Sequence, residues 1–405
     1  MAVLLVLSAG ATVFRPDTRP ATVALTVAVP PGRQPTGLER SAAVLTAQAE
    51  ALLAGDEAGW LTGLDPDQPE LRKRYRAIYR NLHALDVTRL EYDTRPRAGG
   101  TGRVVRVSAH LAYCLSVEPC AAVLPRVAVD LDFTPVDGDY VITRMAQPPG
   151  AGLRQPAPWQ DGPLSVLRGR RVTVAGPPGQ ARHLRQVLAV AEKAAAVADR
   201  FAGYLGNPQR RYRIYLADEK AWRTWYGGSD RRWWVGYAVP LDSAGSDVVL
   251  RAGKLIGDPR QLAVTVQHEL GHVATLAGAA TTDTGNGWLT EGIAEYIGAY
   301  PRPAKATPSR YGMRRAFRGG APRTIVARPL SGTSSARAVD TFYGLGHFAA
   351  DCMAQRYGER KLLTFVGLVL RHGVPYDQAS RRAYGQPFAG VDRACLTWIR
   401  GQVSG

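Results

Sequence analysis

His268-Glu269-Leu270-Gly271-His272 is followed, after eighteen intervening residues, by Glu291 in Trp288-Leu289-Thr290-Glu291-Gly292-Ile293-Ala294-Glu295-Tyr296. Residues four apart on a helix lie one above the other, so His268 and His272 can hold one ion between them while Glu269 stands beside it. Two imidazoles and one carboxylate leave a fourth position open to water, the arrangement of a catalytic zinc site and not of a structural one. Leu262, Val264, Val266, Leu270 and Val273 make the segment largely apolar. That suits a buried helix better than a solvated one carrying two unrelated histidines. A buried histidine pair needs partners, and a metal ion provides one.

This pattern resembles the gluzincin zinc metallopeptidases, whose His-Glu-x-x-His is followed at the same spacing by a Glu. Trp288-Leu289-Thr290-Glu291-Gly292 is similar to the Trp-Leu-x-Glu-Gly of their aminopeptidase branch. The resemblance implies one Zn2+ per chain, held by His268, His272 and Glu291, with Glu269 as the general base that activates a zinc-bound water. Glu295, four residues past Glu291 on the same helix face, is placed to accept the other ring N–H of a ligand histidine and fix its tautomer. In the aminopeptidase branch a helix downstream of the third ligand opens with Tyr-x-x-Gly, and the phenol donates to the oxyanion of the tetrahedral intermediate. By that resemblance Tyr343, fifty-two residues past Glu291, takes this part, and His347, one turn on, is the other candidate for it. The strand just before the active-site helix is, in gluzincins, a sheet edge that pairs with extended substrate. This implies Asp247, Val248, Val249, Leu250 and Arg251 as the substrate-binding strand. The resemblance covers residues 164 to 405. The Gly-x-Met-x-Asn segment that grips a substrate's amino terminus in the aminopeptidase branch is not found before His268, so the resemblance reaches peptide hydrolysis without the aminopeptidase specificity.

The net charge is +17, with 45 arginines to 6 lysines. A surplus of that size favours anionic cell-envelope surfaces or acidic substrates as partners. The arginines are spread along the chain, with one denser run at Arg310, Arg314, Arg315, Arg318 and Arg323, and no nucleic-acid-binding motif accompanies them. Met1 to Phe14 is apolar and too short for a membrane span; it fits the core of a signal peptide or the end of a membrane anchor. Both readings place the protein outside the cytoplasm. Four cysteines agree with that compartment. Cys114 and Cys120 flank a short Pro-containing segment that a disulfide would close, and Cys352 and Cys395 lie on two carboxy-terminal helices that a second could join.

The periodicity along the chain predicts an α+β fold in two domains. Residues 1–36 read as the signal or anchor segment and an extended linker. Residues 37–146 begin with a helix from Leu38 to Leu64 and another from Pro69 to Leu85. Strands follow at Leu90 to Tyr92, Val104 to Tyr113, Val127 to Phe133 and Tyr140 to Met145. Helices followed by an antiparallel sheet resemble the cone-shaped fold of nuclear transport factor 2. Residues 147–163 are Pro/Gly-rich and read as a linker. Residues 164–405 read as the metallopeptidase domain: a mixed sheet with strands at Arg171 to Ala175, Arg211 to Ala217 and Ser246 to Arg251, the active-site helix from Asp258 to Ala277, and a mostly helical remainder.

The expected function is therefore an extracytoplasmic zinc peptidase acting on a peptide or protein. A zinc-containing scaffold of the cell envelope without catalysis, and a zinc hydrolase of non-peptide amides, are the competing readings. An intact Glu269 favours the two enzymatic ones, since a retired enzyme has no need of a base there.

Overall fold

The computed structural model describes residues 36–99, 103–115, 120, 123–148, 155–228, 234–241, 245–276, 279 and 284–404. The expected signal or anchor segment, residues 1–35, lies outside them. No helix among the described residues is long and apolar enough to cross a membrane.

The architecture is α+β with two sheets. The first half opens with α1 (Gly37–Ala54), α2 (Glu57–Thr62) and α3 (Pro69–Ala84). The sequence pattern predicted one helix through Leu64; Gly55, at φ 78°, ends α1 instead, and Asp56 caps a new helix by accepting from Gly59 N–H. A left-handed residue closes a helix at little cost only when it is glycine. Four antiparallel strands follow as a meander: β1 (Val87–Pro96), β2 (Val105–Leu115), β3 (Arg126–Val136) and β4 (Asp139–Ala146). Leu45, Leu52, Trp60 and Leu82 from the helices meet Val107, Leu131, Phe133 and Ile142 from the sheet in one buried cluster.

The second sheet contains β5 (Ser165–Arg168), β6 (Val172–Gly176), β7 (Tyr212–Ala217), β8 (Gly236–Pro240) and β9 (Ser246–Arg251), in the order β5-β6-β7-β9-β8. β6, β7 and β9 are parallel, and β5 and β8 run antiparallel at the two ends. Helix α4 (Ala181–Tyr204) joins β6 to β7, and α5 (Glu219–Thr224) follows β7. Both faces of this sheet are covered. Val174, Ile214, Leu216, Val248 and Leu250 face α4 and the carboxy-terminal helices, whereas Ala175, Tyr215, Ala217 and Val249 belong to the buried cluster of the first half. Strands buried on both faces read as continuous apolar runs, which Val248-Val249-Leu250 does.

Two expectations change here. The strand Asp247–Arg251 is not a sheet edge: β9 lies between β7 and β8, and the edge next to it is β8, which the pattern reading passed over. Backbone groups of β9 are used on both sides, so it cannot pair with a substrate. Asp247 is instead fully buried, bound by Arg213 Nε at 2.7 Å and by the Tyr226 hydroxyl. The described part of the Pro/Gly-rich stretch is also more than a tether. Ala157 and Trp159 are buried, Trp159 stacks edge-on against Tyr113 at 5.2 Å, and Asn81 donates to the carbonyls of Trp159 and Gly162. Proline and glycine exclude regular structure there, but the two apolar side chains still find the core.

After β9 every described element is helical: α6 (Ala252–Leu255), α7 (Pro259–Leu276), α8 (Gly287–Ala299), α9 (Ser309–Arg318), α10 (Ala336–Tyr357), α11 (Glu359–Val366), α12 (Tyr376–Tyr384) and α13 (Phe388–Ser404). Cys352 of α10 is bonded to Cys395 of α13, and Cys114 to Cys120 beside β2. Two disulfides are compatible with a compartment outside the reducing cytoplasm. α8 and α10 cross at a glycine pair. A Cβ on Gly292 would stand 2.6 Å from Gly346 O, and one on Gly346 would stand 2.7 Å from Trp288 O. Backbone cannot yield as a flexible side chain can, so Gly346→Ala should cost about 1–3 kcal/mol of stability. The urea midpoint measures this, and an unchanged midpoint would mean that the crossing tolerates a wider spacing.

Candidate metal centre

Helix α7 starts where Asp258 accepts from the backbone N–H groups of Arg260 and Gln261, with Pro259 in the first turn. Leu262, Val266, Leu270 and Val273 anchor one face of it in the core. Its other face meets α8 closely. A Cβ on Gly298 would lie 3.0 Å from that of His268, and one on Gly271 would lie 3.2 Å from Ile297. Gln267 Nε2 donates to the carbonyls of Ile297 at 2.7 Å and Tyr300 at 3.0 Å, which fastens the end of α8 to the middle of α7. Glycines at the contact and an amide across it therefore set the height of Glu291 relative to the two histidines.

The result is a compact triangle of donors. His268 Nε2 and His272 Nε2 are 3.0 Å apart, and each is 3.4 Å from Glu291 Oε2. All three residues are buried, with 0%, 1% and 3% of their surface exposed. Three donors at 2.0–2.1 Å from one tetrahedral ion stand about 3.3 Å from each other. The spacing and the donor types fit a divalent metal ion held by His268, His272 and Glu291.

The surroundings are polar in an ordered way. Glu295 Oε1 lies 3.2 Å from His268 Nδ1, the nitrogen turned away from the triangle, where the sequence spacing put it. Its other oxygen lies 3.8 Å from His347 Nδ1. Glu269 is 1% exposed, and neither of its carboxylate oxygens has a hydrogen-bond partner among the described residues. It lies directly against the edge strand: a Cβ on Gly236 of β8 would stand 2.8 Å from Glu269 Oε1. Burial pushes the Glu269 carboxyl up to about 8, partly offset by the charge on His268. A cation in the triangle would draw it back down.

Tyr343 does not open its helix as the sequence suggested. Ser335 caps α10, and Tyr343 sits about two turns inside, 7% exposed, lining a cavity together with Glu295 and His347. His347 is 1% exposed, and burial holds its imidazole below the usual histidine range. The placement of β8 beside Glu269 was the main feature missed. Gly236-Tyr237-Ala238-Val239 does carry a strand signal, an aromatic and a β-branched residue at alternate positions, but it is short.

Compared with known proteins, the chain matches no protein family and no curated protein.

Burial pulls the His268 imidazole down, but Glu291, Glu295 and Glu269 together outweigh that and push it up to about 10. Burial leaves His272 below its ordinary value, and the two histidines hold Glu291 down at about 2 against its own desolvation. At pH 7 the ion-free triangle therefore holds one proton, on His268. A metal needs both imidazoles neutral and draws the raised Glu269 carboxyl down as well, so loading it at pH 7 should release between one and two protons, and affinity should climb as pH rises toward 10. Calorimetric titration in buffers of different ionisation enthalpy counts those protons; a count of zero would remove His268 from the ligand set.

Proposed function

We propose that this protein is a zinc-dependent peptidase of the gluzincin type, acting outside the cytoplasm. What carries the reading is the coincidence, on two packed helices, of a closed His268–His272–Glu291 donor triangle with a buried Glu269, unpartnered among the described residues, on the helix of the two histidines. A structural site needs no such carboxylate, and burying one without use would cost several kcal/mol. The two disulfides support the compartment, and the apolar Met1 to Phe14 would direct export or anchoring.

A zinc ion held in the triangle supplies Lewis acidity toward a carbonyl oxygen and toward water. Glu269 takes the proton from the attacking water on one carboxylate oxygen and returns it to the leaving amine. Glu295 keeps the Nδ1 proton of His268 in place, so that Nε2 stays a ligand. Tyr343 is the candidate donor to the developing oxyanion. The substrate strand in this reading is the one that would pair with β8, because Gly236 brings that backbone beside Glu269 without a side chain between them. Pairing through backbone groups holds a peptide with little regard to its side chains.

Glu269→Gln should keep its metal and lose turnover by about 10²–10⁴-fold. Glu291→Ala should lose the metal itself. Metal analysis beside digestion of a peptide library reads both outcomes; full turnover in the first variant, or full metal content in the second, would remove that residue from its role.

A further inference from the structure

A cavity of about 570 Å³ opens between the first turns of α7, the end of α8 and the second and third turns of α10. Val264, Ala299 and Pro308 give it apolar walls, and Tyr343 and His347 stand on its inner side. His347 Nε2 is buried there without a hydrogen-bond partner among the described residues. A buried polar atom left so is a place for a ligand to bind.

Five charged residues line the same cavity, and their commitments differ. Asp258 accepts from the first amides of α7, Asp340 faces Arg315 at 3.3 Å, and Glu295 faces His268 at 3.2 Å. Arg260 and Arg302 are exposed, and neither is joined to a carboxylate among the described residues. The two arginines are therefore the cations at this cavity free to meet a carboxylate, although its lining also carries three acids. An apolar pocket with cations at its rim suits a ligand with an apolar body and one anionic end. Because Glu295 both lines the cavity and touches His268, the pocket lies one side chain from the metal triangle.

We infer that this cavity receives the carboxy-terminal residue of a peptide, its side chain against Val264, Ala299 and Pro308 and its carboxylate on Arg260 and Arg302. The choice of a peptide as the bearer of the carboxylate rests on the peptidase reading. The protein would then act near the carboxy termini of its substrates.

The probe is N-acetyl-leucyl-phenylalanine with a free carboxylate, beside its carboxamide, bound to the full-length, metal-loaded Glu269→Gln chain. The carboxylate should bind about tenfold more tightly than the amide. Adding Arg260→Ala and Arg302→Ala together should abolish that preference, and Ala263→Phe, on an exposed position at the mouth, should weaken both probes. Equal affinity for the two probes, no binding of either at millimolar concentration, or a preference that survives loss of both arginines would overturn the inference. Digestion of a peptide library by the unaltered chain separates the two ideas. Hydrolysis without a carboxylate preference sinks the pocket and spares the peptidase; an arginine-dependent preference without hydrolysis does the reverse.

Discussion

His268, Glu269, His272, Glu291 and His347 are all at most 3% exposed, and they lie together between α7, α8 and α10. Burial of five ionisable side chains in one place is the constraint on which the carboxy-terminal half depends. Each would cost several kcal/mol alone. The packing offsets this by pairing: Glu291 faces two imidazoles, and Glu295 faces the far side of one of them. Glu269, and His347 at its Nε2, are left over among the described residues; of these Glu269 is the carboxylate. That carboxylate stands beside a donor triangle of the right size for a metal ion.

The close helix contacts follow from that constraint. The side-chain donors meet within 3.4 Å on helices that themselves approach closely. Gly271, Gly292, Gly298 and Gly346 stand at those approaches. Two of the four, Gly271 and Gly292, stand next to a donor in sequence, so these glycines belong to the centre as much as the ligands do.

The two halves of the chain meet in a buried contact. One face of the second sheet, through Ala175, Tyr215, Ala217 and Val249, shares a buried cluster with Trp60, Leu131 and Trp159 of the first half and its connection. Arg213 ties them further, binding Asp247 on β9 and the carbonyl of Leu115 at the end of β2. The first half thus supports the sheet that carries β8 to Glu269.

The sequence by itself determined the donor set, the helices that hold it and the α+β class, because all three rest on short-range spacing. Four residues make a helical turn, and apolar alternation marks a strand, whatever lies elsewhere in the chain. His268, His272, Glu291 and Glu295 were legible for this reason. Strand order was not, since β9 and β8 differ in position only through which neighbours they pair with, and Asp247 became a buried ion-pair partner only when Arg213 and Tyr226 arrived beside it. The same holds for the cavity rimmed by Arg260 and Arg302, which are far apart in α7 and beyond α8, and for the contact of Gly236 with Glu269. These are long-range meetings, decided by how the helices and the sheet pack, and no local pattern in the chain encodes them.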